Sequence, residues 1–149
     1  MNTHVHHIKK LLLMKCLDLQ QGGLIKIYLR LLSIIYLMAA ALHWLDLLDL
    51  RLHFSEMNTI WKTWIIYLAV ADSIVSVGLW KNKQYGEVSF LIVTTTQLIA
   101  FGLFQNVFGT QNFLITFHLL TMSIYIWLKY SSIVIHNYGQ NKTIQPPNK

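Results

Sequence analysis

Asp72 is the residue in this chain most able to do chemistry. It is the only formal charge between Lys62 and Lys81, inside the run Tyr67-Leu68-Ala69-Val70-Ala71-Asp72-Ser73-Ile74-Val75. An aspartate at the centre of an apolar helix costs about 2.5–3.5 kcal/mol on membrane-insertion scales. No lysine or arginine falls at the same depth in any other apolar run. Two solutions follow. Either the carboxyl keeps its proton, because desolvation disfavours the anion, or uncharged donors hold it. Gln97 is the best partner by depth, followed by Thr121, Tyr125 and His118. A carboxyl without a fixed countercharge suits a proton-coupled site, and it equally suits a structural hydrogen bond between helices.

Two histidines, His43 and His118, lie on polar stripes towards one end of their runs. Histidines from separate helices can ligate haem iron or another metal. Here there is no second matching pair, no Cys-x-x-Cys-His and no His-Glu-x-x-His, so an interfacial hydrogen bond is the preferred reading and no cofactor or metal is expected. His4, His6 and His7 could form a short metal-binding tag. A juxtamembrane segment lying on the surface is favoured, and Met14 is a second candidate start. Cys16 cannot form an internal disulfide, and Lys15 stands where lipoprotein processing wants a small residue.

The elements that must position these groups are apolar. Of 149 residues, 54% are hydrophobic and 12% charged, against roughly 25% charged in an average soluble domain. Four runs are long enough to cross about 30 Å of hydrocarbon as helices: about 24–45, 62–80, 87–104 and 113–132. The predicted fold is all-α, an integral membrane antiparallel four-helix bundle over residues 24–135. It follows a cytoplasmic segment 1–23 and precedes a disordered cytoplasmic tail 136–149 that contains Pro146-Pro147. The short connections Lys81–Gly86 and Gln105–Asn112 make successive helices neighbours.

Orientation follows from lysine and arginine. With the N-terminus inside, Lys9, Lys10, Lys15, Lys26, Arg30, Lys81, Lys83, Lys129, Lys142 and Lys149 are cytoplasmic, and only Arg51 and Lys62 are outside. Ten against two is a strong positive-inside bias. It accounts for the net charge of +6 without nucleic acid as a partner. Asp46, Asp49 and Glu56 make the outer loop mildly acidic. Trp44, Trp61 and Trp64 at one face, and Trp80, Tyr85, Trp127 and Tyr130 at the other, read as interfacial anchors. A competing reading takes Lys26 to Ala41 as a cleavable signal peptide. The apolar run continues through Leu42 to Trp44 without a polar approach to the cut, which favours a retained helix.

At 100° per residue, Ser33, Tyr36, Ala40 and His43 share one face of the first helix, and Ala69, Asp72, Ser73 and Ser76 one face of the second. His118, Thr121, Tyr125 and Lys129 line up on the fourth. Thr94, Thr95, Thr96 and Gln97 are consecutive and wrap around the third. Small and hydroxylated residues favour close helix packing, so these faces are expected to turn inward.

Val77-Gly78-Leu79-Trp80, a basic turn and Tyr85-Gly86 resemble the second-to-third helix hairpin of small four-span bacterial inner-membrane proteins of unknown function, distantly similar to DoxX-type proteins. The resemblance implies a bacterial inner-membrane bundle with both termini cytoplasmic, and carries no catalytic residue across. Small multidrug transporters share the size and layout, but their carboxyl is a glutamate in helix one, whereas here the acid is Asp72 in helix two.

No nucleophile–base–orienter set and no phosphate loop is present. The expected function is therefore a non-enzymatic accessory or scaffold in the lipid bilayer, pairing with itself or with another membrane subunit. The alternatives are a small proton-coupled transporter or channel subunit using Asp72, and a membrane haem protein using His43 and His118.

Overall fold

The computed structural model describes the backbone of residues 2–143 and the side chains of residues 22–134. The described residues are helical, without strands: α1 (Asn2–Leu47), a 3-10 turn (Phe54–Glu56), α2 (Thr59–Trp80), α3 (Gln84–Leu103), the single turn α4 (Gln105–Phe108) and α5 (Asn112–Thr143). Four stretches are long and apolar enough to cross a membrane: Gly22–Leu47, Thr59–Trp80, Gln84–Leu103 and Asn112–Val134. They match the four runs expected from hydropathy to within a few residues at each end.

Three differences stand at the margins. The backbone of α1 is already helical from Asn2, where 1–23 reads as a separate juxtamembrane segment. That of α5 continues to Thr143, across part of the expected tail, because no proline or glycine pair occurs within residues 112–143. The third-to-fourth connection is not a plain hairpin but holds α4, closed by Gly109 at a φ of 73°. The side chains of His4, His6, His7 and Cys16 and residues 144–149 lie outside the described residues.

The chain divides into two compact units. One is Tyr28–Met122; the other is formed by the remaining ends of α1 and α5. In the second unit Tyr125 and Leu128 are buried and Ile126, Trp127 and Tyr130 are exposed.

Turn chemistry explains where the helices stop. Asp49 and Asn82 both have left-handed φ, 61° and 50°, which short polar side chains tolerate better than most. Each closes a Schellman cap. After α1, Leu50 N–H donates to Leu45 O at 3.0 Å and Asp49 N–H to Asp46 O at 3.0 Å. After α2, Lys83 N–H donates to Gly78 O at 3.0 Å and Asn82 N–H to Leu79 O at 3.0 Å. Asn58 caps the start of α2, accepting from Trp61 N–H at 2.9 Å. Asn58→Ala is expected to cost about 1 kcal/mol, read as a lowered unfolding midpoint in detergent micelles.

The turn Lys81–Lys83 brings Gly78 of α2 against Gly86 of α3. A methyl group built on Gly78 would lie 2.8 Å from Gly86 N, and one on Gly86 would lie 2.6 Å from Gly78 Cα. The two backbones therefore touch where the sequence pairs Gly78 with Tyr85-Gly86.

The stripes point inward as expected. Ser33, Tyr36 and Ala40 of α1 are buried, as are Ala69, Asp72 and Ser76 of α2. Ser33 Oγ donates to Ser76 O at 2.8 Å and Ser76 Oγ returns the bond to Ser33 O at 3.0 Å. The ambiguity of α3 resolves in favour of Thr94 and Gln97, which are buried, while Thr95 is exposed. Tyr36 selects Thr94 by a 3.1 Å hydroxyl contact, and Tyr67 holds the half-buried Thr96 at 2.9 Å. Large apolar residues such as Leu31, Met38, Ile66, Ile74, Ile92 and Leu119 are left on the outside.

Candidate functional site

The inward polar residues do not fill the space between the helices. A cavity of about 520 Å³ is lined by α1, α2, α3 and the first turns of α5, together with the α1–α2 connection. At one end are exposed residues, Leu52, Gln111 and Phe113, with Arg51. At the other lie Asp72, Gln97 and His118, at 1%, 6% and 3% exposure. The cavity thus runs from an open rim to a floor of ionisable and amide groups. Its volume falls in the roughly 300–1,000 Å³ range of small-molecule sites.

Asp72 has no hydrogen-bond partner on either carboxylate oxygen among the described residues. An imidazole stands beside it, that of His43 on α1, with Nε2 3.6 Å from Oδ2. The other imidazole nitrogen, Nδ1, is 3.7 Å from Asp46 Oδ2. Asp46 in turn is gripped by Arg51, with Nε donating to Oδ1 at 2.6 Å and Nη2 donating to Oδ2. The result is a line of alternating groups, carboxyl, imidazole, carboxylate and guanidinium, from mid-helix to the rim. Asp46 is only 1% exposed, and it holds the Arg51 guanidinium above its ordinary pKa by charge-assisted hydrogen bonding. That neutralises Asp46 locally and leaves Asp72 without a fixed countercharge.

Gln97 does not serve Asp72. Its Oε1 lies 2.6 Å from His118 Nε2 and is taken up there. A neutral His118 that donates from Nε2 presents a bare lone pair at Nδ1, and that atom is without a partner among the described residues. Thr121, another expected partner, bonds back to its own helix at Phe117 O (2.9 Å) and His118 O (3.2 Å). Its carbonyl accepts from Tyr28 at 2.6 Å. Tyr36 lines the cavity beside Thr94. Tyr125 belongs to the other unit. His43 and His118 both line the cavity, but His43 stands between two carboxyls and His118 against an amide.

Two of the expected interfacial anchors also face inward. Trp61 and Trp64 are half-buried, line the cavity and pack on Phe108 at centroid distances of 5.3 and 5.0 Å. Trp64 also meets Phe101 edge-on at 6.4 Å, and its indole N–H has no acceptor among the described residues. Trp44 and Trp80 keep the exposed positions expected of them, with Trp44 Nε1 donating to Ser73 Oγ at 3.2 Å and Arg30 lying over the Trp80 ring at 5.9 Å. Asp46, by sequence an acid of the outer loop, is the buried link in the line from Asp72 to Arg51. The signal that could have found it is the five-residue spacing from Asp46 to Arg51 across a reversal at Asp49.

Compared with known families, residues 23–136 match the model of a family of unknown function (DUF6163). No curated protein and no solved structure matches the chain.

Proposed function

We propose that this chain, which belongs to that family of unknown function, is a multi-pass protein of the bacterial inner membrane that moves protons through Asp72, as a small transporter or channel subunit. In this reading the four apolar stretches cross the bilayer as an antiparallel bundle with both termini in the cytoplasm. The ten-to-two division of basic residues supports that orientation, and the outward apolar side chains supply a lipid-facing surface. The cavity rim at Arg51 then faces the outer side.

One observation carries the proposal: a carboxyl at 1% exposure, on the floor of a cavity, without a hydrogen-bond partner among the described residues and with an imidazole 3.6 Å away. A structural aspartate sealed in a dry interface would be bonded by the groups around it. A proton carrier needs an unfixed charge and a relay partner, and His43 links Asp72 towards the rim. Each copy lines its own cavity, so association with itself or another membrane subunit would multiply sites without having to create them.

The test is proton flux into liposomes containing the purified chain and a trapped pH indicator, driven by a potassium diffusion potential. Wild-type vesicles are expected to acidify faster than empty ones, and Asp72→Asn to bring the rate down to that of empty vesicles. Wild-type vesicles as tight as empty ones would sink the proposal and leave the accessory or scaffold reading in possession. Flux unchanged in Asp72→Asn would remove Asp72 from the pathway.

A further inference from the structure

We infer that the cavity binds an organic cation, a protonated amine carried on an aromatic or apolar body, with its ammonium group at Asp72. This deepens the proton reading by naming the substrate class of the same site, and rests on it for the coupling of the two ions but not for the binding itself.

The buried polar atoms of the cavity left without hydrogen-bond partners among the described residues are both oxygens of Asp72, Nδ1 of His118, Nδ1 of His43 and, as the one obligatory donor among them, the indole N–H of Trp64. A carboxylate only accepts hydrogen bonds, and an imidazole that donates from Nε2 to Gln97 accepts at Nδ1. The floor is therefore rich in acceptors, and a ligand that satisfies it must bring N–H or O–H donors. An anion or a bare carbonyl would add acceptors to acceptors.

Charge narrows the class further. Arg51 is committed to Asp46 by two hydrogen bonds, which removes the one fixed cation among the described lining residues from service to Asp72. Of the polar groups on other elements, His43 on α1 stands 3.6 Å from Asp72, Tyr36 on α1 is close enough to feel its charge, and Gln97 on α3 and His118 on α5 line the same cavity. An ammonium ion supplies both the missing positive charge and three donors. The walls fit the remainder of such a ligand. Trp61, Trp64, Phe101 and Phe117 also line the cavity, and aromatic faces attract cations as well as apolar surface. An ammonium and a proton would compete for the same carboxyl, which is the exchange that couples one to the other.

Binding separates this inference from the proton reading. The chain in phosphatidylcholine nanodiscs is titrated with 4-(4-fluorophenyl)butylamine, an ammonium ion at neutral pH, and with the matching neutral alcohol, 4-(4-fluorophenyl)butanol. Binding is followed by fluorine NMR line broadening against empty nanodiscs. The amine is expected to bind about tenfold tighter than the alcohol or more, the scale of a charge-assisted hydrogen bond. Asp72→Asn should erase that difference while leaving the weak binding of the alcohol. Ala39→Leu, which narrows the cavity from α1, should weaken both and serves where Asp72→Asn does not assemble. Equal affinity for amine and alcohol in the wild type overturns the inference, as does an amine preference that survives Asp72→Asn or binding unaffected by Ala39→Leu. Equal affinity together with retained proton flux would remove the cation and keep the proton pathway. Amine preference without flux would keep the site and remove the transport.

Discussion

Gly86→Leu is expected to separate α2 from α3 and to lower the stability of the chain by at least about 3 kcal/mol, above the roughly 1–3 kcal/mol typical of added methylenes in a packed core. The reason is what the new side chain would meet. A single Cβ at this position already lies 2.6 Å from Gly78 Cα, and the other atoms in its way are backbone atoms of Gly78 and Leu79. Backbone cannot turn aside as a flexible side chain can, so the helices must move. Gly78 is also the acceptor of the Lys83 N–H in the cap that ends α2, so displacement disturbs the turn as well as the contact. Gly86→Ala should show the same effect at a reduced scale. The measurement is thermal or denaturant unfolding in micelles, followed by circular dichroism. A Gly86→Leu chain that unfolds like the wild type would show that the helices do not approach at these glycines.

The second large effect is expected at Arg51. Removing one partner of a buried ion pair costs about 3–5 kcal/mol, whereas a fully exposed pair contributes about 0–1 kcal/mol. Here the pair is lopsided, with the Arg51 side chain 43% exposed and that of Asp46 1% exposed. Solvent screens the arginine, but little water reaches the carboxylate it would abandon. Arg51→Ala is therefore expected to cost about 2 kcal/mol, between the two limits. Arg51→Lys should recover only part, because an ammonium cannot grip both carboxylate oxygens as a guanidinium does. Adding Asp46→Asn to Arg51→Ala should restore most of the loss, since the stranded charge is then gone. Unfolding midpoints of the four chains test this. A loss of only a few tenths of a kcal/mol in Arg51→Ala would place the pair among ordinary surface contacts.

The two predictions mark where sequence reasoning reached and where it stopped. Runs of apolar residues define the four long helices closely, because length and continuity are local properties. The stripes on the first two helices also point as expected, since period 3.6 is a property of one helix. What failed needed two helices at once. Gln97 shares a depth with Asp72, but its direction around α3 brings it to His118 instead. Thr94 could not be told from Thr95 until Tyr36 was known to lie opposite. Trp61 and Trp64 have the composition of interfacial anchors, and only the return of the chain through α4 brings Phe108 against them. Asp46 was hidden by its own neighbours, because the αL residue Asp49 reverses the chain and brings Arg51 back over the last turn of α1.

The paired bonds between Ser33 and Ser76 limit how α1 can move against α2. Each hydroxyl donates to the other residue's carbonyl, so sliding by even one residue would break both at once and leave polar groups unpaired in an apolar setting. Tilting costs far less, because both bonds sit at the pivot. His43 lies ten residues further along α1, roughly 15 Å at 1.5 Å per residue, so a tilt of about 10° about the serines would carry its imidazole by roughly 2.6 Å. That arc is long enough to make or break contact with Asp72. The two serines act as a fulcrum, and the histidine rides at the far end of the lever.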